Sequence, residues 1–153
     1  MISKSAAWRR LGLTVLIVLA LDQASKAIVV GSVELGERIQ VLPFLDLVHV
    51  RNEGVAFGFL GGSSQTLVVG VTLLAIVLVG IWFALSATRP GAWLAVGLLG
   101  GGAIGNLADR VTRDAVIDFI DFPAWPSFNV ADIAITGGAL LLVWTTLTAP
   151  ADE

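Results

Sequence analysis

The residues in this chain able to do chemistry are carboxylates. Among its 153 residues there is no cysteine and a single histidine, His49. A thiol nucleophile, a thiolate metal site, an HExxH zinc motif and a Ser-His-Asp triad therefore lack their material. His49 sits in the half-apolar, strand-like stretch Leu47-Val48-His49-Val50-Arg51, and it reads as a surface or loop histidine rather than a base. Two acids stand apart from the rest. Asp118 is enclosed by Val116, Ile117, Phe119 and Ile120, a setting that disfavours the ionised carboxylate and raises its pKa. Asp132 follows Phe128-Asn129-Val130-Ala131 at the start of an apolar run, where a first-turn acid also complements the helix dipole. If the fold brings two such carboxylates together they share one proton, which leaves one base to activate water and one acid to protonate a leaving group. That is the chemistry of an aspartic protease. Spacing alone leaves Asp109, Asp118, Asp121 and Asp132 interchangeable as members of the pair. Asp114, Asp152 and Glu153 read as solvated turn and terminal residues.

The elements that must position these acids are set by an unusual solvent. Hydrophobic residues make up 56% of the chain, charged residues only 14%, and the net charge is −3. Soluble domains carry about 25% charged residues, so a soluble enzyme with a charged shell is excluded, and so is a basic nucleic-acid binder. A helix crossing about 30 Å of hydrocarbon needs about 20 mostly apolar residues. Four windows qualify, at about residues 11–33, 67–85, 90–108 and 133–151, within one domain covering residues 1–153. The first is interrupted by Asp22 and Lys26. Their spacing of four, acid before base, sets them on one helix face in the favourable order for an ion pair. Paired ionisable groups within a span face the bundle interior, so this window reads as a retained span rather than a cleaved signal peptide.

Four spans put both termini on one side, and the cluster Lys4, Arg9 and Arg10 ahead of the first span places that side in the cytoplasm. Two segments then lie outside, at about residues 31–64 and 109–131. In the first, Arg38-Ile39-Gln40-Val41 alternates like a strand and Val48-His49-Val50 is β-favouring, while Pro43 makes a bent or edge strand of it. Val55 to Leu60 is apolar and too short to span, and is expected to lie in the interface. Asn52-Glu53-Gly54 reads as a turn. The glycines from Gly100 to Gly105 are expected to allow close helix packing. Asp109 and Arg110, being adjacent, point to different faces of their helix and seek separate partners; Arg110 or Lys26 has the chemistry to hold a carboxylate or a lipid phosphate.

Five blocks in order carry a resemblance to a known family: Asp22-Gln23-Ala24-Ser25-Lys26, Asn52-Glu53-Gly54-Val55-Ala56-Phe57-Gly58, Gly101 through Arg110, Val116-Ile117-Asp118-Phe119-Ile120-Asp121-Phe122, and Phe128-Asn129-Val130-Ala131-Asp132. The chain resembles bacterial lipoprotein signal peptidase, the signal peptidase II family. The resemblance implies an all-α membrane protein of four transmembrane helices, with a small extracytoplasmic β-cradle and a short interfacial helix formed from residues 31–64. It implies an inner-membrane aspartic endopeptidase that removes the signal peptide of a prolipoprotein just before its diacylglyceryl-modified cysteine. The catalytic pair it carries over is Asp118 and Asp132. Asp22, Lys26, Asn52, Gly54, Asn106, Asp109, Arg110 and Asn129 match positions that shape or support the site. The expected partners are lipid-modified prolipoprotein signal peptides and membrane lipids, with no nucleic acid; the chain is expected to act as a monomer, near the outer surface of the membrane, with no metal or organic cofactor. The rival reading is a small proton-coupled transporter subunit using Asp22, Lys26 and the acids as a relay. Transporter sites lie near the midplane, whereas the acid cluster here falls at the ends of spans.

Overall fold

The computed structural model describes residues 2–53 and 64–148. Its elements run α1 (Lys4–Ser32), β1 (Arg38–Leu42), β2 (Leu45–Asn52), α2 (Ser64–Ser86), α3 (Ala92–Arg113), β3 (Val116–Asp121) and α4 (Val130–Leu147). The expected interfacial segment Val55–Leu60 and the turn residue Gly54 lie outside the described residues.

Several helix ends have a local cause. Ser3 opens α1 by accepting the Ala6 N–H at 3.2 Å, which satisfies one of the unpaired donors of a helix start. Gly91 begins α3 at φ 79 after Pro90, and Asp114 ends it at φ 57, both left-handed conformations that stop a helix from continuing. Asn129 and Asp132 form a reciprocal capping box at the start of α4.

The faces of the helices show which solvent they meet. The buried residues of α1 are Ala7, Val18, Asp22, Lys26 and Val29, four of them one helical turn apart along a single stripe. Leu13, Leu16, Ile17, Leu21 and Ile28 point outward, as do Val71, Leu74, Val77, Leu78 and Ile81 on α2. Apolar exposure on this scale marks a membrane interaction rather than a water-facing surface. Three helices, Lys4–Ser32, Gln65–Ser86 and Val130–Leu147, are long and apolar enough to cross a membrane, and the chain is a membrane-embedded, mostly helical protein. The structure extends the third window beyond residue 108, since α3 continues to Arg113 through Asn106, Asp109 and Arg110.

The helices approach closely along small residues. Gly97, Gly101 and Gly105 of α3 face Thr14, Val18 and Asp22 of α1, two ladders in step at intervals of four; a Cβ would come within 2.7 Å of Thr14, 2.7 Å of Val18 and 2.5 Å of Asp22. On the α4 side, Gly102 abuts the backbone of Ala131, and Gly138 abuts that of Ala95 and Leu99. Small residues take this role in membranes because dispersion contacts and interhelical hydrogen bonds, rather than hydrophobic burial, join the helices.

The three strands form one antiparallel sheet in the order β1-β2-β3. β1 and β2 form a hairpin around Pro43 and Phe44, the strand interruption expected from the proline, with Arg38 opposite Val48 and Leu42 opposite Leu45. β3, which sequence reading leaves inside an unassigned outer segment, pairs with β2 so that Val50 lies opposite Asp118 and Asn52 opposite Val116. The sheet covers the ends of α1 and α3, where Val29, Val33 and Phe119 make a small apolar core.

Candidate active site

A buried charge network joins α1 to α3. Asp22, Lys26 and Asp109 are each 0% exposed. Lys26 Nζ donates to Asp22 Oδ2 at 2.8 Å, Asp109 Oδ2 at 2.8 Å and Asn106 Oδ1 at 3.0 Å, so all three N–H bonds of the ammonium are used. Asp109 is also paired with Arg113 one turn along α3. Two acids and two bases thus balance, as charges withdrawn from solvent require. Gln23 Nε2 adds bonds to Asp22 Oδ2 at 3.1 Å and Asp109 Oδ1 at 3.3 Å. The network reaches the next elements as well: Asp22 Oδ1 accepts the Ala131 N–H of α4 at 2.9 Å, and Asp109 Oδ2 accepts the Ile117 N–H of β3 at 3.2 Å. The starts of β3 and α4 are therefore pinned to the same ion cluster.

Above this platform sit the two acids singled out by sequence. Asp118, on β3, is 2% exposed and accepts from Asn52 Nδ2 at 2.9 Å and Asn129 Nδ2 at 2.7 Å. Asp132, in the first turn of α4, accepts from Asn106 Nδ2 at 2.8 Å and from the Asn129 backbone N–H at 3.2 Å. Asn129 closes the arrangement, its Oδ1 accepting the Asp132 N–H at 3.0 Å. One asparagine therefore holds both carboxylates. Burial pushes the Asp118 carboxyl up to about 6, opposed by the Asn52 hydrogen bond, with the charge of Asp132 raising it further and Asn129 and Lys26 lowering it. These are the opposed influences expected where two carboxylates share a site.

The structure also separates candidates that spacing left equal. Asp109 and Asp121 are each taken up in ion pairs, Asp109 with Lys26 and Arg113 and Asp121 with Arg38. Asp118 and Asp132 are held by amides, which leave a carboxylate free to exchange a proton. Asp22, Lys26, Asn52, Asn106, Asp109 and Asn129 are brought together around that pair. Arg110 lies within electrostatic reach of Asp132, Asp118 and Asp109, with Nη1 3.4 Å from the Asn106 carbonyl. Gly54 lies outside the described residues. His49 is corrected from a surface residue to a buried one, 7% exposed, because its Nδ1 donates to the Val33 carbonyl at 2.8 Å and ties β2 to the end of α1. Gln23 and the double engagement of Asn129 escaped sequence reading; the block Asp22-Gln23 held the first, while the second needs the coordinates. Among the described residues no group of three or more His, Cys, Asp or Glu side chains is placed to hold a metal.

An apolar cavity of about 400 Å³ lies between α1, α2 and α3, with Ile104 and Ile135 in its lining. Ile135 is about one turn along α4 from Asp132. The cavity lies in the apolar part of the bundle, and no residue of the acid cluster lines it.

The chain is similar to known proteins over most of its length. The family model described as signal peptidase (SPase) II matches residues 14–148. A lipoprotein signal peptidase of Moorella thermoacetica is 40% identical over 142 residues, covering 92% of this chain and 94% of that protein. One of Pelotomaculum thermopropionicum is 45% identical over 133 residues, covering 86% and 87%. A solved structure described as a bacterial membrane enzyme superposes with a TM-score of 0.78 at 30% identity, covering 92% of this chain and 94% of that one.

Proposed function

The chain belongs to the signal peptidase II family, and from that premise we propose that it is an aspartic endopeptidase in which Asp118 and Asp132 form the catalytic pair. It removes signal peptides from prolipoproteins, and the bond cut is the one just before the diacylglyceryl-modified cysteine. The observation that carries the mechanism is the sharing of Asn129 by the two acids, with bonds to Asp118 at 2.7 Å and to Asp132 at 3.2 Å. An ionised carboxylate of the pair takes a proton from a held water, whose oxygen attacks the scissile carbonyl. The protonated partner gives its proton to the departing nitrogen as the C–N bond breaks. Burial of Asp118 suits this role, since bulk water is kept from that carboxylate.

The supporting topology is a four-span bundle in which α3 crosses alongside α1, α2 and α4, its 22 residues spanning about 33 Å at about 1.5 Å per residue. The basic residues ahead of α1 put both termini in the cytoplasm of a bacterial inner membrane. The sheet and the paired acids then lie at the outer border, where a lipid-modified cysteine sits, and the apolar cavity offers a wall to the membrane-embedded part of the substrate. The pair and its described supporting residues lie within one chain, in keeping with a monomer surrounded by lipid. The transporter reading finds no support in the family match.

The test is gel-shift cleavage of a diacylglyceryl-modified prolipoprotein by Asp118→Asn and Asp132→Asn proteins shown to be folded and membrane-inserted. Both are expected to lose nearly all activity, and full cleavage by either variant removes the assignment. The unmodified precursor is expected to be cut poorly.

A further inference from the structure

The side-chain amide of Asn106 lies between a cation and a carboxylate. Its Oδ1 accepts from Lys26 Nζ at 3.0 Å and from Asn129 Nδ2 at 3.2 Å, and its Nδ2 donates to Asp132 Oδ1 at 2.8 Å. An amide has one accepting end and one donating end. Turned over, that of Asn106 would set its NH2 against the Lys26 ammonium and the Asn129 NH2, and its carbonyl against the Asp132 carboxylate. All three attractive contacts would become repulsive, so a single orientation is open to it. Lys26 is itself immobile, its other two N–H bonds being committed to Asp22 and Asp109 in a fully buried site.

We propose that Lys26 is a positioning residue for the catalytic pair: through the locked amide of Asn106 it keeps an N–H on Asp132 Oδ1 and so holds Asp132 as the ionised, water-activating member. This rests on the reading of Asp118 and Asp132 as the pair and assigns their roles. Asp132 also receives the Asn129 backbone N–H at the start of α4, where the helix dipole favours an anion. Asp118 sits instead in a strand at 2% exposure, a position that favours the neutral acid, and burial raises its carboxyl accordingly. The shared proton therefore rests on Asp118. In turnover Asp132 takes a proton from water, the hydroxyl bonds to the carbonyl carbon, and Asp118 gives its proton to the nitrogen as the C–N bond breaks. Transfer of the proton from Asp132 back to Asp118 restores the starting state. The charged groups within electrostatic reach of the pair are Lys26 from α1 and Arg110 from α3, with Asp22 of α1 and Asp109 of α3 held by Lys26 in its ion pairs. β2 faces it with the Asn52 amide, while Arg51 on that strand donates to the Arg113 carbonyl.

The experiment is kcat/KM against pH on a diacylglyceryl-modified prolipoprotein for the full chain carrying Asn106→Leu, Lys26→Met or both. Asn106→Leu removes the N–H from Asp132 without altering any charge or ion pair. Its acid limb is expected to move up by about one pH unit, a roughly tenfold relative loss of activity on the acid side. Lys26→Met moves the limb both by its charge and by freeing the amide, so it is expected to move it less in the Asn106→Leu background than in the unaltered chain. A merely structural role lowers the amount of active enzyme alike at every pH. An unmoved limb in Asn106→Leu overturns the proposal, and so do equal Lys26→Met shifts in both backgrounds, the mark of charge acting through space alone. If Lys26→Met does not fold, Asn106→Leu alone decides. Failure of the catalytic pair itself looks different: cleavage then persists in Asp118→Asn or Asp132→Asn.

Discussion

The backbone N–H of Ala131, in the first turn of α4, donates to the Asp22 carboxylate of α1 at 2.9 Å. A donor that a helix start leaves unpaired is thus satisfied by an acid from another span, placed where the helix dipole favours negative charge. Asp22→Ala removes this acceptor and one of the two carboxylates on Lys26. Breaking one side of a buried ion pair costs about 3–5 kcal/mol, and a loss of that order is expected in unfolding measured on detergent-solubilised protein. Because the same turn carries Asp132, the folded fraction is expected to cleave poorly. Unchanged stability in Asp22→Ala would show that the contact does not hold α4.

Gly105 meets the same acid from α3. A Cβ there would lie 2.5 Å from Asp22 Oδ2, whereas one at Gly137 on α4 would have no atom within 4 Å. Gly105→Ala must therefore displace a carboxylate that holds Lys26 and the start of α4, and it is expected to lower both the unfolding midpoint and the cleavage rate. Gly137→Ala is expected to be neutral or to stabilise by up to about 1 kcal/mol, the helix propensity of alanine over glycine. Equal effects of the two substitutions would contradict the close approach of α1 and α3.

The three most apolar helices and the ionic spacing of Asp22 and Lys26 were legible because hydrocarbon enforces them: charge is excluded from a span unless paired, and pairing along a helix requires intervals of three or four. Helix ends were less legible. α1 begins at Lys4 because Ser3 caps it, and α3 runs on to Arg113 because Asp109 and Arg113 find partners there. β3 was hidden, since Val116 to Ile120 shows apolar character without revealing the partner strand that makes it pair. Asp118 and Asp132 could be picked out as unusual acids from their neighbours in the chain, but nothing in the spacing told that Asp109 and Asp121 are neutralised while these two are held by amides. The reading of residues 31–64 as a cradle and the supporting roles of Asn52, Asn106 and Asn129 came from the family resemblance rather than from periodicity.

Asp118 gives the fold a pH dependence of known sign. Its carboxyl rises from 3.8 to about 6 on folding, chiefly by burial. A group raised in this way contributes stability that is fully present below 3.8 and is lost as pH rises through about 6, since the folded state binds the proton more tightly. Asp118→Asn carries no charge at any pH. The stability of the variant relative to the parent is therefore expected to increase between pH 4 and pH 7, by up to about 3 kcal/mol. Thermal unfolding of both proteins across that range measures the difference, and a flat or falling difference would contradict a carboxyl raised by burial at Asp118.

Arg38 has a less obvious bearing on the site. Asp46 and Asp121 stand directly opposite each other on β2 and β3, a like-charge pairing that destabilises a sheet. Arg38 relieves it by bonding Asp46 Oδ2 at 2.6 Å and Asp121 with the same nitrogen. Ser127 donates to Asp121 Oδ1 at 2.6 Å, and this bond, followed by Arg38, holds the Asp121 carboxyl below the usual carboxylate range. The resulting stabilisation is present above the usual carboxylate pKa and is lost as pH falls through it towards the lowered value. Arg38→Gln is expected to speed hydrogen exchange in β2 and β3 at neutral pH while hardly moving the global unfolding midpoint, because Arg38 is exposed and its ion pairs are screened by salt. Adding Asp121→Asn removes the repulsion and is expected to restore protection. The strand so loosened is the one that presents Asp118, so the cleavage rate is expected to follow exchange: lower in Arg38→Gln and recovered in the double variant. Loss of activity in Arg38→Gln without faster exchange in β3 would detach Arg38 from the sheet and leave its effect on cleavage to some other contact.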